Sequence, residues 1–414
     1  MSRWQWMLKQ IGALLWVRAA LFCVLGVATA LVALLINDFI PSDVPRKVGA
    51  DAVDNILQIL ASSMLPVTIF SLSTMVAAYS AATTNVTPRS TQLLLQDSTA
   101  QNALSVFIGA FLYSLVGIIA LSMEIYGGTG RLVLLLVTIA VIVIIVVVLL
   151  RWINYLSRLG RVGETINMVE RATAKALKDR MATPYLGGVE LSDYEPQPGH
   201  SPVRCEAIGY LQHIDMHSLS RIAETAEAEF YLCMIPGSFS DSMAPLLYSS
   251  KLVDDETNAK ICRAFSIGDA RSFDQDPRFG LVVLSEIASR ALSAATNDSG
   301  TAIDIIGTAV RILAPWASPW PPAPEPLYRN VHVPALETAD LFEDLFAGIA
   351  RDGAGSLDVG VRLQKALASL ACMGNPVAER QAQRLSTYAL EHANRALALP
   401  NDRDVLAALA KNIG

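Results

Sequence analysis

LVLLLVTIAVIVIIVVVLL, residues 132–150, carries no charged side chain and is almost wholly Val, Ile and Leu. A helix needs about 20 apolar residues to cross a hydrocarbon core, so this run with its flanks, 131–153, predicts a membrane span. Toward the N-terminus three further stretches of similar length predict spans at 15–37, 56–80 and 103–123, each bounded by polar or charged residues. The first is long for a cleaved signal and is followed by Asn37-Asp38-Phe39-Ile40-Pro41-Ser42, not by the small residues of a cleavage site.

Basic residues set the expected orientation. Arg3, Lys9 and Arg18 precede the first span, Arg89 lies between the second and third, and Arg151, Arg158 and Arg161 follow the fourth, against Arg46, Lys47 and Arg131 on the other side. Short cytoplasmic flanks carry the excess of Lys and Arg, so both termini are expected in the cytoplasm and the protein in a bacterial inner membrane. The expected organisation is a transmembrane domain over 1–157, a helical stalk and linker over 158–200, and a cytoplasmic α+β domain over 201–414 that ends in a helical bundle. The fold class is thus membrane α-helical, with four N-terminal transmembrane helices and a mainly helical soluble domain.

Composition agrees with a chain partly in lipid: 52% hydrophobic and 17% charged residues, with a mean hydropathy of +0.40. A net charge of −6 without a Lys/Arg cluster gives no footprint for nucleic acid. The five cysteines, Cys23, Cys205, Cys233, Cys262 and Cys372, are odd in number, far apart and without a C-x-x-C pair. They suggest neither a disulfide framework nor a zinc ribbon, and a reducing cytoplasm for the soluble part.

The second span is rich in hydroxyls: Ser62, Ser63, Thr68, Ser71, Ser73, Thr74 and Ser80, then Thr83 and Thr84. At about 100° per residue Ser62, Ser73, Ser80 and Thr84 share one narrow face. Such a stripe lines a polar path, or it bonds to its own helix and to neighbouring helices; both readings stay open here. Pro66 predicts a bend in the same helix. Ser105, Gly109 and Gly117 near Tyr113 predict close packing of the third span, and the fourth should be the most lipid-exposed. No Asp, Glu, Lys, Arg or His falls in the middle of any span. A proton relay is therefore not indicated, while a passive pore of hydroxyls and carbonyls remains open. Pro88 to Asp97 reads as a short amphipathic helix at the membrane surface.

Beyond the spans, residues 158–180 are expected to continue helical as a stalk with Ile166, Val169, Ala172, Ala176 and Leu177 on one side. A Pro- and Gly-rich loop, Tyr185 to Pro202, follows. Strands are expected at 205–214, 229–235 and 244–249 with a helix at 218–228 between them. Helices are expected at 255–264, 277–293, 299–313, 338–351, 355–373, 376–398 and 402–411. The connector Pro315 to Pro324, with its repeated prolines, divides this run as a rigid linker.

Three soluble stretches carry a resemblance: Gly209-Tyr210-Leu211-Gln212-His213-Ile214-Asp215, the run Phe265 to Gly280 reading FSIGDARSFDQDPRFG, and Ala291 to Ala302 reading ALSAATNDSGTA. Together with the Ser/Thr-rich second span, Pro88-Arg89, and Phe107 to Tyr113, they resemble the bacterial predicted membrane proteins grouped as domain of unknown function 2254. The resemblance covers nearly the whole chain. It implies an integral membrane protein and assigns no activity.

Candidate ligand or interface residues are Asp274, Asp276 and Arg278 in the second stretch and Asn297, Asp298 and Thr301 in the third. Their oxygens could meet a cation, or a helix N-terminus an anion; equally, Asp276 before Pro277 and Asp298 before 299–313 are helix caps. His213 and His217 would share a helix face, but Asp215 is the better helix start, which puts His213 outside it; no metal site or cofactor is expected. Gly127-Gly128-Thr129-Gly130 lacks the lysine of a phosphate loop, and no nucleophile elbow occurs, so no enzyme activity is expected. The functional expectation is a homo-oligomeric channel or transporter-like pore for an ion or small solute, in contact with the lipid bilayer and carrying a cytoplasmic regulatory domain. The alternative is a membrane-anchored sensor or scaffold whose soluble domain binds a partner or ligand.

Overall fold

The computed structural model describes residues 50–95, 97–123, 128–192 and 194–413, with a few positions between 17 and 28. The span expected at 15–37 lies, apart from those positions, outside the described residues. What is described is mostly helical with some strands, and it divides into two compact units, one up to Glu164 and one from Thr165.

In the first unit three helices are long and apolar enough to cross a membrane, over Ala52–Ala81, Thr99–Ser122 and Val133–Leu156. They belong to α1 (Ala50–Asn85), α3 (Ser98–Ser122) and α4 (Gly128–Leu156). Between α1 and α3, Thr87 accepts a hydrogen bond from the Arg89 N–H and caps a short turn, Pro88–Ser90, that runs into α2 (Thr91–Leu95). Gly117 of α3 leaves room for Leu57 of α1, whose Cδ1 would lie 3.0 Å from an added Cβ. The indole N–H of Trp152 on α4 donates to Ser71 Oγ on α1 at 2.9 Å, and Tyr113 of α3 meets Thr138 of α4 at 2.9 Å. Interhelical polar contacts of this kind count in lipid because no water competes for them. As expected, α4 is the barest of the three, with a smaller buried share of its apolar stretch than α1 or α3.

The helix does not run unbroken from α4 into a stalk. It ends in a turn at 157–160, where Gly160 takes φ +81°, a left-handed conformation open to glycine without a Cβ clash. A new helix, α5 (Val162–Ala182), starts after it.

From Thr165 onward α5 buries Ile166, Val169, Thr173, Ala176, Leu177 and Arg180. Strands β1 (Gly188–Leu191), β2 (Ser201–Val203), β4 (Phe230–Leu232), β6 (Leu247–Ser249) and β8 (Tyr328–Pro334) form one sheet in the order β1-β8-β4-β6-β2. A second sheet of three antiparallel strands has β3 (Gly209–Ile214) between β5 (Phe239–Ser240) and β7 (Phe265–Gly268). Helices α6 (Met216–Ala226) and α7 (Asp255–Ala264) share an apolar core with these strands, built on Leu211, Leu219, Phe230, Leu247, Ile261 and Val331. Helices α8 (Pro277–Ala291), α9 (Ser299–Ala317), α10 (Thr338–Asp352), α11 (Leu357–Ala371), α12 (Pro376–Ala396) and α13 (Pro400–Ala410) complete the unit.

Several expectations are corrected. Strands β1, β7 and β8 occupy stretches read as loop or left unassigned, because their partners are distant in sequence: β8 lies between β1 and β4, parallel to both. The strand expected at 205–214 begins at Gly209, after a segment that follows β2. Helix α9 runs through Pro315 to Ala317; near a helix end a proline removes one backbone bond and the rest of the turn survives. The connector is correspondingly shorter, and Trp316 within α9 donates to Thr338 Oγ1 at 3.0 Å.

The cysteine reading is overturned for one pair: Cys205 and Cys262 are joined by a disulfide with a Cα–Cα distance of 5.8 Å, across 57 residues of chain. Wide sequence spacing hid the pair, which the fold brings together at the end of β2 and the last turn of α7. Closing a loop of that length removes unfolded-state entropy corresponding to about 4 kcal/mol. Reduction of the purified protein should accordingly lower the melting temperature of this unit by roughly 10 °C, read by thermal unfolding with and without reductant. A Cys205→Ser variant should melt low and show no response to reductant.

Candidate functional site

The hydroxyls of α1 fall into two sets. Ser71 is buried and takes the Trp152 hydrogen bond; sequence periodicity singled out other serines and missed it. Ser62, Ser73 and Ser80 are exposed instead, as is Asn55 one heptad before Ser62. Between them on the same face stand Ile59, Ile69 and Val76, 65%, 58% and 57% exposed. The opposite face, with Leu57, Leu60, Met64, Met75 and Ala78, is buried. Ser62 donates back to the Ile59 carbonyl at 3.1 Å, and Thr68, Thr74 and Thr83 do likewise to the residue four before. The side chain of Thr84, the fourth member of the expected stripe, lies outside the described residues. The structure thus brings Ser62, Ser73 and Ser80 onto one outward face.

The soluble motifs converge on a buried charged junction. Chain from β7 turns through Asp269 to Gln275 and enters α8 at Pro277. Asp276, 2% exposed, caps that helix by accepting from the Phe279 N–H at 3.1 Å. Arg271 grips the same carboxylate with Nε at 2.7 Å and Nη2 at 3.0 Å, its guanidinium 5.4 Å from the centre of the Phe279 ring. Burial pushes the Asp276 pKa upward, and the Arg271 pair and the Phe279 N–H oppose that shift. Arg180 arrives from α5, 5% exposed, and donates to the Gln275 carbonyl at 3.2 Å. Desolvation pulls its pKa down to about 10, against the attraction of Asp276. Gln275 in turn accepts from the Ile214 N–H at 3.2 Å, next to the fully buried His213 of β3.

Two glycines make the junction possible. Gly237, at φ +100°, passes so close to Asp276 that a Cβ would sit 2.5 Å from its carboxylate. On α8, a Cβ at Gly280 would overlap Thr173 of α5, so glycine sets how closely those helices approach. Arg278, in the first turn of α8, reaches α10 with Nε 2.7 Å from Asp344 and a further contact to Asp340. Both oxygens of Asp276 are thus occupied by protein donors, and Arg278 is spent on a helix pair. The arrangement clamps α5, β3, α8 and α10 together. Arg180 and Gly237 were not legible as parts of it, since each comes from a segment distant in sequence from Asp276.

The other candidates resolve as local structure. Asp298 caps α9, accepting from the Thr301 N–H at 3.0 Å and hydroxyl at 2.6 Å, and these bonds hold its carboxyl below the usual range. Asn297 takes φ +49° in the turn ahead of it. The Asp274 N–H donates to Ser272 Oγ at 3.3 Å. Asp215 caps α6 through the Ser218 N–H at 3.0 Å, so His213 lies in a strand and His217 on a helix, and the two do not share a helical face.

A groove of about 680 Å³ opens between α5, α9 and the proline-rich connector, lined by Leu177, Lys178, Met181, Ile312, Trp320 and Pro322 among others. Tyr185 and Leu186, at its α5 end, hold φ +53° and +56°, a conformation that costs non-glycine residues about 1–3 kcal/mol each. The sequence read this segment as a plain loop.

Substitution separates the clamp from the cap. Asp276→Ala removes the buried carboxylate that pairs with the part-buried Arg271 and caps α8, and should cost about 3 kcal/mol, whereas Asp298→Ala removes an exposed cap and should cost about 1 kcal/mol; denaturant unfolding of the detergent-solubilised chain reads both. Because the folded-state pKa of Asp298 lies below its unfolded value, its contribution is present at neutral pH and is lost only as pH falls through the depressed folded value. The stability gap between the protein and Asp298→Asn should therefore persist through mildly acidic pH and close only under strong acid.

No curated protein and no solved structure matches the chain. A family model described as predicted membrane protein, domain of unknown function 2254, matches residues 13–369. That span takes in the apolar helices, the outward hydroxyl face and the charged junction alike, and the chain belongs to this family of predicted membrane proteins.

Proposed function

We propose that the chain assembles in a bacterial inner membrane as a homo-oligomer in which α1 lays Ser62, Ser73, Ser80 and Thr84 along a path for an ion or small solute. One observation carries this reading: Ser62, Ser73 and Ser80 lie together, among Ile59, Ile69 and Val76, on the face of α1 left exposed, while the opposite face is packed. A hydroxyl turned to lipid tails gains nothing beyond its own helix, whereas one turned to a second copy or to a water column gains partners. The spacing of Asn55, Ile59, Ser62, Ile69, Ser73, Val76 and Ser80 suits a neighbouring helix laid alongside. Among the described residues Asp54 and Arg151 stand near the ends of their spans, so the path is read as passive. The reading includes a fourth span at 15–37, both termini in the cytoplasm, and an α+β cytoplasmic domain over 201–414 that regulates or frames the path. It invokes no catalytic step and no cofactor.

A second reading, a membrane-anchored sensor or scaffold, is favoured by the groove beside α5, whose volume suits a small ligand.

Reconstitution in liposomes distinguishes them. The pore reading expects flux of ions or small solutes that falls several-fold in Ser73→Leu and Ser80→Leu and is unchanged in Thr173→Val, a substitution outside the spans. Vesicles that stay sealed across a range of ions and voltages overturn it.

A further inference from the structure

We infer that Cys205 and Cys262 are a reversible oxidation site, closed by exchange with a disulfide oxidant and opened by cytoplasmic thiols. The inference rests on the cytoplasmic placement proposed above. Two independent observations meet in it. The pair is bonded, with Cα atoms 5.8 Å apart, so no rearrangement of the backbone is needed to close it. Yet the end of α4 and the segment after it carry Arg151, Arg158 and Arg161, the flank of a cytoplasmic domain, and in that compartment disulfides are transient and not permanent staples.

Access differs between the two sulfurs. Cys205 is 8% exposed, whereas Cys262, in the last turn of α7, is partly exposed. In the closing reaction the Cys262 thiolate attacks one sulfur of the oxidant, RSSR, forming a mixed disulfide and expelling RS⁻. The Cys205 thiolate then attacks the Cys262 sulfur and expels the second RS⁻. The protein loses two electrons and two protons, which appear in two molecules of RSH; opening runs the same steps in reverse. Cys233 and Cys372 are not bonded.

The bond acts on the charged junction through the backbone. Helix α7 passes without a break into β7, which pairs with β3 beside His213 and leads to Arg271 and Asp276. Closing the disulfide anchors the start of that segment to the end of β2, and opening it leaves the segment held by strand pairing and the Arg271 clamp.

Thiol trapping on the full-length protein in growing cells tests the inference. Cells are quenched in acid before and after exposure to diamide, a diazene that takes two electrons and two protons from a pair of thiols. Free thiols are then alkylated with a mass-tagged maleimide. The expected result is free Cys205 and Cys262 in untreated cells, loss of both alkylations together under diamide, and recovery after the oxidant is removed; in Cys205→Ser the reaction should stop at the Cys262 mixed disulfide with RS, and in Cys262→Ser, which lacks the attacking thiol, Cys205 should remain alkylated throughout. If both thiols stay free under diamide while cellular glutathione is oxidised, the site is refuted with the placement intact. A pair protected in untreated cells also overturns it. In that case a membrane-impermeant maleimide on intact spheroplasts tells the reason: labelling of Cys372 means that the placement has failed, and no labelling means that only the reversibility has.

Discussion

In a hydrocarbon layer every backbone N–H and C=O must find its partner within the chain. The first unit is organised by that constraint. Its apolar segments are helices because a helix alone satisfies the whole backbone locally, and its side-chain hydroxyls mostly follow suit, with Thr68, Thr74 and Thr83 bonded to carbonyls one turn back. Only a few polar groups are used between helices, among them Trp152 with Ser71 and Tyr113 with Thr138. The exposed serines of α1 add a polar face to that background, with Ser62 bonded to the Ile59 carbonyl, and in lipid such a face gains more from a neighbouring helix or from water than from acyl chains.

The second unit solves a different problem, burying charge inside a packed interior. Asp276 survives at 2% exposure because a bidentate guanidinium and a helix N-terminus share its carboxylate. Arg180 is buried for want of room and is attracted by the same anion. Removing one partner strands the others, so the cost of the cluster is recovered only when all its segments are in place. This explains why the stretch from Phe265 to Gly280 holds acids, bases and glycines in so short a span: the charges supply the clamp and Gly280 lets α5 approach it.

The disulfide sets the charge pattern of the membrane flanks against the redox chemistry of cysteine. Basic residues after α4 favour the reducing side, and a bonded pair ordinarily favours the oxidising side. A bond that opens and closes reconciles both, and its position just ahead of β7 puts it in line with the clamp.

What the sequence determined by itself was local. Apolar runs long enough to span a membrane, caps at Asp215, Asp276 and Asp298, the helix starts at Pro277 and Pro376, and the helical bundle could be read because each depends on residues a few positions apart. What the tertiary structure alone decided was non-local. Central strand β8, the choice of Ser71 over Ser73 as the buried hydroxyl, the arrival of Arg180 at Asp276, and the pairing of Cys205 with Cys262 all join segments that nothing in their own neighbourhood marks as partners. Periodicity reports which way a side chain points from its own helix or strand; which residue it meets there is fixed by how distant segments pack.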